Sequence, residues 1–186
     1  MGRLTLILGG ARSGKSSYAQ ALAAGRGRQI VYIATAEGLD PEMEARIAAH
    51  KTDRPEEWQT VEIPFGIGRA LRVKPIQADL VVLDCLTMLV SNLLLSMTKD
   101  ENEPDEITAS LGLEVEMDEL IATIQGSQAE WVIVSNEVGM GLVPPYPLGR
   151  IYRDLLGKAN RQLAAFADEV YLLVAGIPVP IHSFRI

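Results

Sequence analysis

Cysteine is nearly missing: Cys85 stands alone among 186 residues, which excludes an internal disulfide and a cysteine-based metal cluster. Such usage suits a reducing compartment, so the cytoplasm is the expected location. Basic residues are also scarce, with Lys+Arg at 17 against Asp+Glu at 24 and a formal charge of -7. That balance argues against an electrostatic grip on nucleic acid or on an anionic membrane. Any phosphate bound here must be held by local geometry. Long hydrophobic runs are lacking too. The longest apolar-rich segment, LTMLVSNLLLSM from Leu86 to Met97, carries two serines and an asparagine and falls short of the roughly 20 residues that span a bilayer. No stable membrane insertion is expected, and the segment reads as a buried or interface helix. The opening MGR leads into a strand-like stretch rather than a secretory leader.

What is present suits one domain over residues 1–186, long enough for a core without staples. Short apolar runs alternate with helical patterns, the mark of a mainly parallel sheet flanked by helices. The strands are expected at Arg3 to Leu8, Ile30 to Ala34, Trp58 to Ile63, Leu80 to Asp84, Trp131 to Ser135 and Val170 to Val174. Most are apolar throughout, so burial on both faces is expected. A last run, Val179 to Ser183, suits a sheet edge because Pro178 and Pro180 would disturb a central strand. Helices are expected over Lys15 to Ala24, Pro41 to Lys51, Leu86 to Met97, Ala109 to Ile124 and Leu148 to Ala167, the second capped by Asp40. The acidic stretch Thr98 to Glu106 reads as an exposed connection.

GGARSGKS, residues Gly9 to Ser16, fits G-x-x-x-x-G-K-[ST] between a strand and an alanine-rich helix. In this pattern the glycines let backbone N–H groups turn inward toward phosphate oxygens, helped by the positive end of the following helix. Gly9, Gly10, Ala11, Arg12, Ser13, Gly14, Lys15 and Ser16 are therefore nucleotide-binding candidates. Lys15 suits the β and γ phosphates, and the Ser16 hydroxyl suits Mg²⁺. Asp84 ends the apolar run ADLVVLD and is the expected second metal-side ligand, although the same position also suits a helix N-cap.

Glu42, Arg46 and His50 share one face of the expected second helix, and Lys51 and Arg54 lie close by in sequence. A neutral imidazole is a competent nucleophile toward phosphorus, and neighbouring cations favour neutrality. The helix C-terminus favours imidazolium instead, and a solvated helix cap is the plainer reading of His50. His182, the other histidine, reads as structural.

GGARSGKS, YIATA, DPEMEARIAAHKTDRP, LDCLTMLVSNLL, VSNEVGMGLVP and ADEVYLLVAGIP occur in order between Leu4 and Pro178. Together they resemble the bifunctional adenosylcobinamide kinase / adenosylcobinamide-phosphate guanylyltransferase family of cobalamin synthesis. The resemblance implies a RecA-like P-loop NTPase fold and two reactions. ATP or GTP phosphorylates adenosylcobinamide; GTP then gives its GMP moiety to adenosylcobinamide phosphate, releasing pyrophosphate. It also implies a covalent guanylyl-histidine, which falls on His50, with Lys15 serving catalysis. Ala34, Thr35 and Ala36 match a second nucleotide contact, Lys51, Thr52, Asp53 and Arg54 a third, and Glu62 and Asp84 single contacts. Glu62 suits a guanine edge or ribose, or, as a strand residue, solvent.

The glycine- and proline-rich SNEVGMGLVPPYPLG follows a strand, and its Asn136 and Glu137 suit metal-bound water or the cobinamide side chain. Its Pro-Pro-Tyr-Pro stretch departs from the single proline of the family pattern. The resemblance further implies a homotrimer, with Leu86 to Met97 as part of its interface. Two other readings remain open at this stage: a simple kinase in which His50 is only a cap, and a nucleotide-dependent assembly protein of RecA type.

Overall fold

Seven stretches rich in β-branched and leucine residues form the strands of a computed structural model that describes residues 2–38, 44–45, 48, 51, 54–100 and 103–181. They are β1 (Leu4–Gly9), β2 (Ile30–Ala34), β3 (Gln59–Glu62), β4 (Leu80–Asp84), β5 (Glu130–Val134), β6 (Glu169–Val174) and β7 (Ile177–Pro180). The helices are α1 (Lys15–Arg26), α2 (Ile67–Val73), α3 (Leu86–Met97), α4 (Glu106–Gly126) and α5 (Pro147–Phe166). Glu44, Ala45, Ala48 and Lys51 are helical, within the helix expected from Pro41 to Lys51. The Asp40 cap, His50, Thr52, Asp53 and His182 lie outside the described residues.

The strands form one sheet in the order β3-β2-β4-β5-β1-β6-β7. All neighbouring pairs are parallel except β6 with β7, which is antiparallel at the edge where the two prolines are tolerated. Alternate strand residues serve opposite faces. Leu6, Ile33 and Leu83 join the core under α2 to α5, while Ile7, Tyr32 and Val82 join a second core with Ala19 and Ala23 of α1. Two-sided burial explains why the central strands are apolar throughout. The expectation fails at β3, where Gln59, Thr60 and Glu62 are exposed. This strand is an edge, so its polar residues need no cover.

Helix α2 has no counterpart among the helices expected from the sequence. Its start is set by Gly66 at φ 72°, and the buried Glu116 of α4 accepts the N–H groups of Gly66 and Ile67 at 2.7 and 3.1 Å. A carboxylate from another helix thus satisfies donors that α2 leaves open. The segment from Leu86 to Met97 is α3, and most of it is covered within the chain; among its large apolar side chains Leu95 is exposed. None of the helices among the described residues is long and apolar enough to cross a membrane.

One strand, β5, separates β1, which opens into the glycine-rich turn, from β4, which ends in Asp84. The chain therefore has a mainly parallel, helix-flanked sheet in which the glycine-rich turn and Asp84 open at the same edge. Ligands of such sheets collect at the carboxyl ends of the strands.

Candidate nucleotide site

The turn after β1 depends on backbone conformations that few side chains tolerate. Gly9 has φ 155° and Gly14 φ 90°, and a Cβ on Gly9 would meet Ser13 Oγ at 2.6 Å and the Leu173 carbonyl oxygen at 2.7 Å. Neighbouring loops brace the turn. Glu137 donates its N–H to the Gly9 carbonyl at 3.0 Å, and Gly176, in the β6–β7 turn, donates to the Ser13 carbonyl at 3.0 Å.

Lys15 begins α1, is 8% exposed, and donates from Nζ to the Gly10 carbonyl at 2.6 Å. Burial lowers its pKa, opposed by the field of Cys85 and Asp84. Burial also pushes the Cys85 thiol up to about 12, with Asp84 adding to the rise, so this cysteine is not a nucleophile at neutral pH.

A cavity of about 420 Å³ opens at this edge. The turn contributes Ala11, Arg12, Lys15 and Ser16; β2 and its continuation contribute Tyr32, Ala34 and Ala36. Glu62 of β3, Asp84 and Cys85, Arg54 and Asn136 complete most of the wall. Residues 125 positions apart in sequence thereby face one space, because the parallel strands all end on the same side. Gly9, Gly10, Ser13 and Gly14 shape the turn without lining the cavity, and Ser13 Oγ is buried without a hydrogen-bond partner.

Thr35 is placed differently from its neighbours. It is fully buried, donating from Oγ1 to the Cys85 carbonyl at 2.7 Å and accepting the Cys85 N–H at 2.8 Å. Asn92 donates to the Thr35 carbonyl at 2.7 Å. These bonds pin the end of β2 to the end of β4. Glu137 is engaged locally, accepting from the Gly139 N–H at 2.7 Å.

Asp84 does not cap α3. Cys85 occupies the N-cap position without a side-chain cap, and the Asp84 carboxylate accepts a 2.6 Å hydrogen bond from the Tyr32 hydroxyl. Burial and the nearby carboxylate push the Tyr32 phenol pKa upward, so it remains a donor. Above the Tyr32 ring lies the Arg54 guanidinium, its Cζ 3.7 Å from the ring centroid. Arg54 Nε and Nη1 are buried without hydrogen-bond partners, donors suited to an anion. Tyr32 is not among the site residues expected from the sequence. In sequence it is one aromatic within an apolar strand, and Asp84 lies 52 positions away.

Ser16 and Asp84 both line this cavity, which brings a hydroxyl and a carboxylate to one space. Among the described residues no group of three or more His, Cys, Asp or Glu is arranged for a metal. Such a donor set suits a hard cation that completes its shell with phosphate oxygens and water.

A strand, a glycine-rich turn carrying lysine and serine, and a facing carboxylate on a mainly parallel sheet define a P-loop nucleotide-binding protein. More narrowly, the chain belongs to the cobinamide kinase / cobinamide phosphate guanyltransferase family, whose model matches residues 5–181. It is 44% identical over 180 residues to the bifunctional adenosylcobalamin biosynthesis protein CobU of Escherichia coli (strain K12), covering 96% of this chain and 99% of the relative. The Salmonella typhimurium protein of the same name is 43% identical over 181 residues, with the same coverage. The bifunctional adenosylcobalamin biosynthesis protein CobP of Pseudomonas aeruginosa is 39% identical over 178 residues, covering 96% of each chain.

Proposed function

We propose that this chain carries both reactions of its family on the one cavity. In the first, the aminopropanol hydroxyl of adenosylcobinamide attacks the γ-phosphorus of ATP or GTP and the nucleoside diphosphate leaves. In the second, a ring nitrogen of His50 attacks the α-phosphorus of GTP. Pyrophosphate leaves and a P–N bond forms. An oxygen of adenosylcobinamide phosphate then displaces the imidazole, giving adenosylcobinamide-GDP and restoring His50.

The observation carrying this reading is the convergence of Lys15, Ser16, Asp84 and Arg54 on one cavity within a chain matched by the family over nearly its whole length. Lys15 neutralises phosphate charge, and the unpartnered Nε and Nη1 of Arg54 donate to phosphate oxygens. Backbone N–H groups of Gly10 to Ser16 cradle the phosphates. Ala34, Thr35, Ala36, Lys51, Thr52, Asp53, Glu62 and Asp84 complete the nucleotide contacts of this proposal, with Thr35 acting through the backbone it pins. Ser16 and Asp84 hold Mg²⁺, which neutralises charge developing on the phosphates. The protein works in the cytoplasm as a homotrimer, and exposed Met140, Leu142, Val143 and Tyr146 offer apolar surface for subunit contact.

A product assay tests this function. Adenosylcobinamide with ATP should yield the phosphate, and addition of GTP should yield pyrophosphate and adenosylcobinamide-GDP. His50→Ala should stop the sequence at the phosphate. Equal loss of both reactions in that variant would contradict a separate nucleophile.

A further inference from the structure

We propose that Tyr32 is a positioning residue of the nucleotide site, its hydroxyl orienting the Asp84 carboxylate and its ring face orienting the Arg54 guanidinium. The inference rests on the nucleotide reading of the cavity, but it needs neither the identity of the acceptor nor the covalent histidine.

Tyr32 is the penultimate position but one of β2 and is 1% exposed. Strand geometry aims its side chain at the face shared with α1, where Trp58 lies beside it at 6.5 Å between ring centroids. The ring is thus fixed on a rigid element. Two site groups of opposite charge depend on it. Its hydroxyl donates to Asp84 Oδ2 at 2.6 Å, which fixes the carboxylate plane and leaves the other oxygen for a cation. Its face carries Arg54 at 3.7 Å. Stacking holds a guanidinium flat without using its N–H groups, and Nε and Nη1 are indeed buried and unpaired. A carboxylate partner for Arg54 would occupy those donors; an aromatic face leaves them for phosphate. Tyr32 therefore sets the metal side and the phosphate side together.

The two functions separate by substitution. Tyr32→Phe removes the hydroxyl and keeps the ring, whereas Tyr32→Leu removes both. GTP binding is measured by calorimetry in EDTA and again with excess Mg²⁺, with thermal melting as the check on folding. For Tyr32→Phe, the affinity gained on adding Mg²⁺ should fall by about tenfold, the size of a lost bond to a charged group, while metal-free affinity stays within about twofold. For Tyr32→Leu, metal-free affinity should fall as well, by several-fold. Because Tyr32→Leu opens a core cavity, Arg54→Lys provides a second arm: it should reproduce the metal-free loss in an intact fold. In steady-state assays Tyr32→Phe should raise the Mg²⁺ concentration needed for half-maximal rate more than it lowers kcat.

Wild-type-like binding of Tyr32→Phe in both conditions overturns the proposal, as does equal loss in EDTA and in Mg²⁺, which a purely structural role would give. Unchanged metal-free affinity in Arg54→Lys overturns the arginine half. Failure of guanylyl transfer with these binding shifts intact would count against the proposed function and leave Tyr32's role standing.

Discussion

Lys51 Nζ lies 2.6 Å from Glu62 Oε1, and Glu62 lines the nucleotide cavity. The residue that follows His50 in the chain is thereby tied to the rim of the site. The two side chains are 51% and 61% exposed, so water screens the pair. Exposed pairs contribute below about 1 kcal/mol, and Lys51→Ala should shift the thermal midpoint by no more than about 3 °C. Its guanylyl transfer rate should drop by a larger factor than its kinase rate, read from initial rates of the two steps.

Lys15 links function to a cost in stability. Its ammonium is buried against one backbone carbonyl, and burial lowers its pKa from 10.5. Between the lowered value and 10.5 the unfolded chain binds more proton than the folded one, so stability rises with pH across that window. Lys15→Met should stabilise the ligand-free protein near neutrality, and this advantage should shrink toward pH 10.5. Both reactions should be lost. Urea denaturation of the two proteins across pH checks the first statement, and the product assay checks the second.

Gly9→Ala tests the turn itself. The new methyl would meet Ser13 Oγ and the Leu173 backbone oxygen, and the latter has little freedom to move. A loss of about 1–3 kcal/mol in unfolding free energy is expected, together with loss of GTP binding. A variant that binds GTP with wild-type affinity would show that the turn relaxes without consequence.

Glu116 governs a different region. Burial raises its carboxyl pKa above 4.5, and the N–H groups of Gly66 and Ile67 oppose the rise. The folded state then binds more proton than the unfolded state between 4.5 and the raised value. The contribution of Glu116 is full below that window and falls as pH rises through it. Glu116→Gln should remove this slope from the stability profile. Glu116→Ala should cost about 1–3 kcal/mol by leaving two donors at α2 unsatisfied.

The sequence made some of this visible and left some hidden for identifiable reasons. β2, β4 and α3 have the bounds read from their apolar runs, because each is buried and little but hydrophobicity decides it. Helix α4 begins at Glu106 rather than Ala109, since Asp105 accepts the Thr108 N–H and starts the helix earlier. Helix α2 escaped because Gly66 and Gly68 interrupt its short pattern and its cap comes from Glu116, 50 positions away. The phosphate turn was legible as a motif. The seating of Arg54 on Tyr32, and of Tyr32 against Asp84, was not, because only the sheet brings those three positions together.

The covalent step at His50 is the claim on which the two-reaction account turns, and peptide mass spectrometry addresses it directly. Wild-type protein incubated with GTP and Mg²⁺, then denatured, should carry one added GMP on the peptide containing His50, labile to acid and stable to base as a phosphoramidate is. The adduct should be missing from His50→Ala. An unmodified His50 peptide under conditions of active guanylyl transfer, or GMP attached at another residue, would contradict the account.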